Sequence, residues 1–417
     1  MRKIIISLAI VLSIAIIVFV GWYFLLGNSD IPAGEAIRGI LPFGTAEDSS
    51  ESTINNEQST IETEGQSMID EFGTPTKNLF RISDTPVAGT VILSRGTSTT
   101  IARYVDRATG HIYDVNLRTL EKTKVTNNTL PKIYEAYFRP DGNAVLLRSL
   151  KDDSDTVDNL SLTLTAPKAT LASTSSPQAT DGLYSVSSTA IRGDIGALAV
   201  GSGNMLFYVL QDTKSIVSSA FSGTGAKTLF TSPFTNWRLA AAGNSLVAYT
   251  KASASASGYA YTLNTSSGAL TKILGPLNGL VVIPNSSGNR VLYSYTEGNR
   301  TRLFAHNLQN KTASEISPAT LAEKCVWSVR NVGILFCGTP TNSLGTGEPD
   351  SWYRGATHFS DRVWLFDTNT DIAQVLVEPK QSFGVDIDVF EPKLSPNEDY
   401  LIFINKTNLS LWALRLE

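Results

Sequence analysis

A turn signal repeated along the chain constrains the fold of this protein more than any other feature of its sequence. A glycine-asparagine pair followed at once by an apolar run is typical of a tight β-hairpin, because both residue types tolerate positive φ. The clear copies are Gly142-Asn143, Gly203-Asn204, Gly243-Asn244 and Gly288-Asn289. Weaker copies at Gly96, Gly333 and Asn397-Glu398 complete a series of seven predicted hairpins.

The spacing of these turns predicts a β-propeller. Four of the six intervals are 40 to 46 residues long, and each longer interval contains an insertion, 166–181 or 338–361. A period near 45 is that of a four-stranded propeller blade. A second phrase, apolar-aromatic-x-x-Asn/Asp, predicts third strands that end at Asn116, Asn264, Asn307 and Asp367. We therefore expect an all-β fold, a seven-bladed β-propeller of four-stranded antiparallel blades over residues 76–417.

The ends of the chain are expected to close the ring together. Only five residues follow Trp412, so the last predicted blade lacks a fourth strand. A spare strand-like segment, KNLFRIS at 77–83, precedes the first blade and resembles KTLFTSP at 227–233. We expect 77–83 to pair with the C-terminal strands, which leaves no sheet edge unpaired.

Two of the predicted turns carry a family resemblance. Phe138-Arg139-Pro140-Asp141-Gly142 and Leu394-Ser395-Pro396-Asn397 resemble the "FSPDG" turn of TolB-type and WD40-like bacterial propellers. The resemblance covers about residues 76–417. It implies an interaction platform, since most such propellers bind partners, although related propellers also serve as accessory domains of peptidases.

The N-terminal segment is predicted to be a membrane anchor. Arg2 and Lys3 precede 23 uncharged residues at 4–26, and a helix needs about 20 residues to cross a bilayer. A cleaved signal peptide is the alternative, but its apolar core is usually only about 7–15 residues long. The positive-inside rule makes residues 1–3 a cytoplasmic stub and places everything after 4–26 outside the cell membrane.

Residues 27–75 are predicted to be an acidic, disordered linker. Between Glu47 and Glu71 there are eight acidic residues and no basic residue, and most of the others are small and polar. Such a segment buries too little apolar surface to offset the entropy lost on ordering. An acidic docking site for a basic partner is the alternative.

The two cysteines are predicted to form a disulfide. If the turn is formed by Arg330, Asn331 and Val332 with Gly333 in a bulge, Cys325 lies directly opposite Cys337 on the neighbouring strand. Opposed Cβ atoms are about 4.5–5.5 Å apart, and an extracytoplasmic location permits oxidation. Two buried free thiols are the alternative.

The sequence offers little for catalysis, metal binding or nucleic-acid recognition. The net charge is −4, and two cysteines and three histidines are too few for an ordinary Cys/His metal cluster. No Gly-x-Ser-x-Gly nucleophile motif is present. The acidic stretch at 151–158 is interpreted as a solvated turn rather than a metal site. The stretch at 367–371 is interpreted as a turn rather than a calcium site, because Ile372 stands where a calcium loop needs glycine. We predict no metal, no cofactor and no nucleic-acid partner.

One insertion is longer than its structural role requires. The segment 338–361 lies between the second and third strands of the sixth blade, where a hairpin needs only a few residues. It brings together five candidate binding residues, Asp350, Trp352, Tyr353, Arg354 and His358. Three of these residue types, Trp, Tyr and Arg, are enriched at binding hot spots. The alternative is a plug, in which the aromatic residues pack against the channel or the blade.

These features together predict a membrane-anchored extracytoplasmic propeller that presents a binding surface to a protein, peptide or glycan at the cell envelope. The membrane itself is a partner through 4–26. An envelope enzyme that processes glycans or peptides is a second possibility, and clustered carboxylates in a deep axial pocket would favour it. A structural subunit of a surface layer or secretion assembly is a third, which a flat apolar patch would favour.

Overall fold

The computed structural model describes residues 77–416, with the exception of 97–98, 152–155, 168–181, 235, 243–244 and 299. Its 28 strands form seven separate four-stranded antiparallel sheets. Blade 1 contains β2 (Val87–Arg95), β3 (Thr99–Asp106), β4 (Ile112–Asn116) and β5 (Lys122–Lys124). Blade 2 contains β6 (Ile133–Phe138), β7 (Ala144–Leu150), β8 (Val157–Thr165) and β9 (Ser185–Ile191). Blade 3 contains β10 (Ile195–Val200), β11 (Met205–Leu210), β12 (Ser215–Ala220) and β13 (Lys227–Thr231).

The second half of the ring repeats this order. Blade 4 contains β14 (Trp237–Ala242), β15 (Ser245–Thr250), β16 (Ser257–Asn264) and β17 (Leu270–Asn278). Blade 5 contains β18 (Val281–Pro284), β19 (Arg290–Glu297), β20 (Arg300–Asn307) and β21 (Thr312–Glu315). Blade 6 contains β22 (Cys325–Trp327), β23 (Ile334–Pro340), β24 (Asp361–Asp367) and β25 (Ile372–Val377). Blade 7 contains β26 (Val389–Leu394), β27 (Tyr400–Asn405), β28 (Leu411–Arg415) and β1 (Leu79–Ser83).

Blade 7 joins the two ends of the described chain, as the sequence predicts. The N-terminal strand β1 pairs antiparallel with β28, with Leu79 opposite Leu414 and Phe80 opposite Ala413. Every other blade consists of four consecutive strands. The prediction of a seven-bladed propeller closed by an N-terminal strand is therefore confirmed.

The hairpins between first and second strands have the backbone that the turn signal predicts. Gly142, Gly203 and Gly288 have φ values of 71°, 62° and 71°. Glu398 occupies the corresponding turn of blade 7 with a φ of 60°. The pair Gly243-Asn244 and most of the insertion 166–181 lie outside the described residues.

Buried apolar side chains lie between neighbouring blades, and the first strands of the blades meet around the axis. Strands β2 and β6 contact each other, as do β10 and β14. At one such contact a Cβ atom added to Gly89 would lie 1.9 Å from the carbonyl oxygen of Ala136, so only glycine fits there. The core is a set of clusters such as the one that Val105 and Ile112 of blade 1 form with Val145 and Leu147 of blade 2.

Three short helices complete the described fold. They are a 3-10 helix at Ala322–Lys324, α1 (Asp350–Tyr353) and α2 (Pro379–Phe383). No helix among the described residues is long and apolar enough to cross a membrane. The predicted anchor at 4–26 and the predicted linker at 27–75 lie outside the described residues.

Candidate functional site

A cavity of about 910 Å³ runs along the propeller axis. Its wall is formed mainly by the first strands of blades 2 to 7, which explains its position at the centre of the ring. Aromatic side chains contribute from several directions: Tyr137, Tyr249, Trp327, Tyr353 and Phe390. Alternate residues of a strand point to the same side, so each first strand presents only a few side chains to the channel.

The channel wall carries a surplus of positive charge. Its basic side chains are Arg148, Arg238, Lys251, Arg354, Lys393 and Lys406. Its acidic side chains are Glu135, Glu323 and Glu391. Six cations against three carboxylates leave a net charge of +3, and a charged cleft of this kind concentrates ligands of the opposite sign.

Two of the carboxylates are paired with cations of the same wall. The Glu135 carboxylate lies 2.8 Å from the Arg148 guanidinium, and that of Glu391 lies 3.7 Å from the Lys393 ammonium. Lys393 is further fixed because its Nζ donates to the carbonyl oxygen of Thr90, 2.7 Å away. Each of these two pairs is neutral overall, and its contacts fix the positions of its side chains in the wall.

Four cations of the wall have no such partner in the described part of the chain, and one of them, Lys406, donates to the carbonyl oxygen of Trp352 instead. Within the described part of the chain, Arg238, Lys251 and Arg354 make no ion pair, and all three are exposed. Arg238 lies near the start of β14, Lys251 directly follows the neighbouring strand β15, and Arg354 directly follows α1. A guanidinium that is exposed in a channel and lacks a carboxylate partner is suited to bind an anionic group.

The insertion between β23 and β24 crosses one end of the channel. The Asp350 carboxylate accepts a hydrogen bond from the backbone N–H of Ala254, 2.7 Å away in blade 4. The carbonyl oxygen of Glu348 accepts one from the Thr296 hydroxyl of blade 5, and that of Trp352 accepts one from Lys406 of blade 7. The insertion therefore reaches from blade 6 to three other blades.

Trp352 is the residue that packs the insertion against the ring. Its side chain is 0% exposed, and its ring lies 5.9 Å from that of Phe390 in an edge-to-face contact. Its Nε1–H donates to both oxygens of Asp388, at 3.1 and 3.0 Å. Trp352 thus has the packing role that the sequence offers as the alternative to binding.

The other four predicted site residues have different surroundings. Tyr353 and Arg354 line the channel, and the Tyr353 hydroxyl donates a hydrogen bond to Glu323. The Asp350 carboxylate accepts its hydrogen bond from the backbone of blade 4. His358 is exposed and is not part of the channel wall. The structure brings only Trp352, Tyr353 and Arg354 to the cavity.

Burial shifts the pKa values of ionisable groups in the channel. Burial raises the pKa of Glu323, and the hydrogen bond from Tyr353 opposes this. Burial likewise raises the pKa of Glu391, although Lys393 opposes it. Burial lowers the pKa of Lys406, while the Asp388 carboxylate acts in the other direction. The net charge of the wall therefore depends on pH.

The two cysteines lie where the sequence register places them. Cys325 of β22 is directly opposite Cys337 of β23, and their sulfur atoms are joined at 2.14 Å. Cys325 also belongs to the channel wall. The short β22 is therefore held to β23 covalently as well as by backbone hydrogen bonds.

The acidic turn after β24 has a structural role. Asp367 accepts hydrogen bonds from the backbone N–H of Asn369 and the hydroxyl of Thr370, at 2.9 and 2.7 Å. Among the residues that the structure describes, no group of three His, Cys, Asp or Glu side chains could hold a metal ion.

Sequence reasoning missed most of the channel residues. Arg238, Lys251 and Lys406 are isolated basic residues within or next to strands, and nothing in a single sequence distinguishes them from solvated surface. A signal that could have found them is a charged residue on a predicted first strand, such as Arg238 or Glu391. Such a strand is surrounded by other blades, so an ionisable side chain on it has only the channel to enter.

Comparison with known proteins identifies the architecture. No protein-family model matches the sequence, and no curated protein matches it significantly. An oligogalacturonate lyase in complex with manganese is 10% identical, with a TM-score of 0.52 over 81% of this chain and 93% of the other. The Vibrio parahaemolyticus oligogalacturonate lyase gives 10% identity, the same coverage and a TM-score of 0.51. The likeness shows a shared propeller fold. TolB from Acinetobacter baumannii, at 11% identity over 79% of each chain, gives a TM-score of 0.39.

Proposed function

We propose that the protein is an extracytoplasmic binding module, held at the cell membrane by residues 4–26, that binds an acidic oligosaccharide in its axial channel. The observation that carries the proposal is the net charge of +3 on the channel wall, which includes the unpaired cations Arg238, Lys251 and Arg354. Hydrogen bonds from such cations to carboxylates are among the stronger ones in proteins.

The remainder of the wall favours a sugar over an acidic peptide as the carrier of the negative groups. Glu135, Glu323 and Glu391 can accept hydrogen bonds from the hydroxyl groups of a sugar, which the ionised side chains of an acidic peptide cannot donate. Aromatic rings such as Phe390 supply apolar surface for the faces of sugar rings. A volume of about 910 Å³ lies within the range of known ligand pockets, about 300–1,000 Å³, and suits an oligomer of a few units.

The anchor and linker give this binding module a location. Residues 27–75 would let the propeller search the region near the membrane for ligands, and tethering raises its local concentration there. Membrane fractionation checks this part independently. The full chain should sediment with membranes, and a chain without residues 1–26 should not.

Calorimetric titration of the full chain in detergent with short oligogalacturonates tests the binding site. This probe carries one carboxylate per sugar unit, and neutral oligosaccharides of the same length and an acidic peptide serve as comparisons. We expect binding of the acidic sugar to weaken with added salt, because it depends on charge. Equal binding of the neutral sugar would contradict the proposal, and preferential binding of the peptide would assign the channel to a different ligand class.

Matched arginine variants locate the binding to the channel. Arg238→Ala and Arg354→Ala each remove one unpaired cation from the wall, and we expect each to weaken binding about tenfold or more. Arg118→Ala is the control, because Arg118 is exposed on a turn of blade 1 and does not line the channel. Unchanged affinity in both channel variants would contradict the site.

A glycan-processing enzyme is the second candidate, and one observation favours it. The channel contains Glu323 and Glu391, whose pKa values are raised by burial. A raised pKa makes a carboxyl group better suited to act as a general acid. Mass spectrometry of the oligosaccharide after prolonged incubation separates the candidates, since a binding module returns the probe intact and an enzyme shortens it.

A further inference from the structure

A lysine and two aspartates lie together in the core beneath the insertion. Lys324 ends the 3-10 helix before β22, Asp361 begins β24, and Asp388 lies just before β26. The side chains of all three are 0% exposed. The Lys324 Nζ lies 2.8 Å from Oδ2 of Asp361 and is in direct contact with Oδ1 of Asp388.

Aromatic rings isolate this cluster from water. The Lys324 Nζ is 5.1 Å from the centre of the Trp352 ring and 5.0 Å from that of Phe359. Within so apolar an environment, two ionised carboxylates that share the one ammonium in direct contact with them are costly, and among the described residues only Lys324 makes that contact. A proton on one carboxyl group removes that cost, and burial raises the pKa of Asp361 to about 6.

The two carboxyl groups are held differently. Asp388 accepts hydrogen bonds from the Trp352 indole and from the backbone N–H of Phe359. Asp361 accepts one at Oδ2 from the backbone N–H of Val389, 2.7 Å away, whereas its buried Oδ1 has no hydrogen-bond partner among the described residues. A neutral carboxyl group next to an amine is the pair of groups that condenses to an amide.

We propose that Lys324 and Asp361 join in an intramolecular isopeptide bond, with Asp388 as the proton carrier. Asp388 takes one proton from the Lys324 ammonium, and the free amine attacks Cγ of the protonated Asp361 carboxyl group. The N–H of Val389 stabilises the negative charge that develops on Oδ2. A second proton passes from the nitrogen to the Oδ1 hydroxyl, the Cγ–Oδ1 bond breaks, and water leaves.

The step balances without any further reagent. Of the three ammonium protons, one stays on the amide nitrogen, one leaves with the water, and one remains on Asp388. The charges also balance, since an ammonium and a carboxylate are replaced by a neutral amide and a neutral acid. The product contains no buried ion, which removes the desolvation cost of the original cluster.

Peptide mapping of the full chain tests the bond. After reduction, alkylation and trypsin, we expect no cleavage after Lys324 and a linked product of peptides 312–330 and 355–362, lighter than their sum by one water. The ion pair of Lys380 and Asp386 is the internal control. Its side chains are 59% and 54% exposed, so the two residues should stay unlinked. Recovery of free 355–362 with complete cleavage after Lys324 from folded protein would overturn the proposal.

Variants separate the chemistry from folding. Asp388→Asn keeps the shape of the cluster but removes the proton carrier, so we expect folded protein in which Lys324 and Asp361 remain unlinked. Lys324→Arg removes the nucleophile and should give no linked product at all. Calorimetry confirms folding of each variant, and a linked product of unchanged yield in folded Asp388→Asn would refute the role of Asp388.

Discussion

Replacement of Trp352 by alanine should destabilise the propeller strongly, because this side chain fastens the insertion to the ring. The side chain is 0% exposed, and truncation of a buried tryptophan costs about 3–5 kcal/mol. Loss of the indole N–H also deprives Asp388 of a buried hydrogen-bond donor, which costs about 1–3 kcal/mol. Because part of that loss is included in the truncation, we expect the free energy of unfolding to fall by about 4–6 kcal/mol.

This loss converts into a measurable shift of the melting temperature. An entropy of unfolding of about 2.1 cal/mol/K per residue gives about 0.7 kcal/mol/K for roughly 340 residues. Trp352→Ala should therefore melt about 6–9 °C below the parent in differential scanning calorimetry. Trp352→Phe keeps most of the packing but loses the donor, so its melting temperature should fall by only about 2–4 °C.

Arg354→Ala is the matched control for this measurement. Arg354 lies two residues from Trp352 but is exposed, and exposed substitutions usually change stability by less than about 0.5 kcal/mol. We expect it to melt within about 1 °C of the parent. The reasoning is refuted if Trp352→Ala also melts within that interval, because Trp352 would then not fasten the insertion.

Three further predictions follow from the channel, the closing strand and the cysteines. Affinity for the acidic oligosaccharide should rise as pH falls, because Glu323, whose pKa is raised, becomes protonated and neutral at a higher pH than an ordinary glutamate. As pH rises, Lys406 loses its positive charge at a lower pH than an ordinary lysine, because its pKa is lowered. Tighter binding at alkaline pH would contradict this prediction. Deletion of 77–83 should abolish cooperative unfolding in calorimetry, since β28 loses its partner, and a sharp transition at the parent temperature would argue against closure. Alkylation without reductant should label neither Cys325 nor Cys337, and two labelled thiols would exclude the disulfide.

The fold could be predicted from the sequence because it is repeated. Each turn such as Gly142-Asn143 is a local signal, and seven copies at a nearly constant spacing identify the blade as the unit. The register of Cys325 against Cys337 is predictable because a short hairpin fixes which residues face each other. The position of 77–83 beside β28 follows from a count of strands, since one blade is incomplete at the other end of the chain.

The channel could be predicted only in part, because it is assembled from residues that the chain keeps far apart. Arg238 and Lys406 are separated by about four blades of sequence, and only ring closure brings them to one wall. The length of the insertion identifies it in the sequence, yet Trp352 and Arg354 differ in role because the Trp352 side chain is fully buried and that of Arg354 is exposed. The cluster of Lys324, Asp361 and Asp388 gave no signal, since its members are ordinary charged residues on three separate segments.

The closing blade has a consequence for how the protein is made. Strand β1 is synthesised first among the described strands, but its partner β28 emerges only after roughly 330 more residues, so the first strand must wait unpaired for the last. Because β1 and β28 run antiparallel, with Leu79 opposite Leu414, the end of one lies beside the start of the other. A circular permutant that starts at Val87 and places β1 after β28 through a short turn would retain the pairing of every blade and remove the delay.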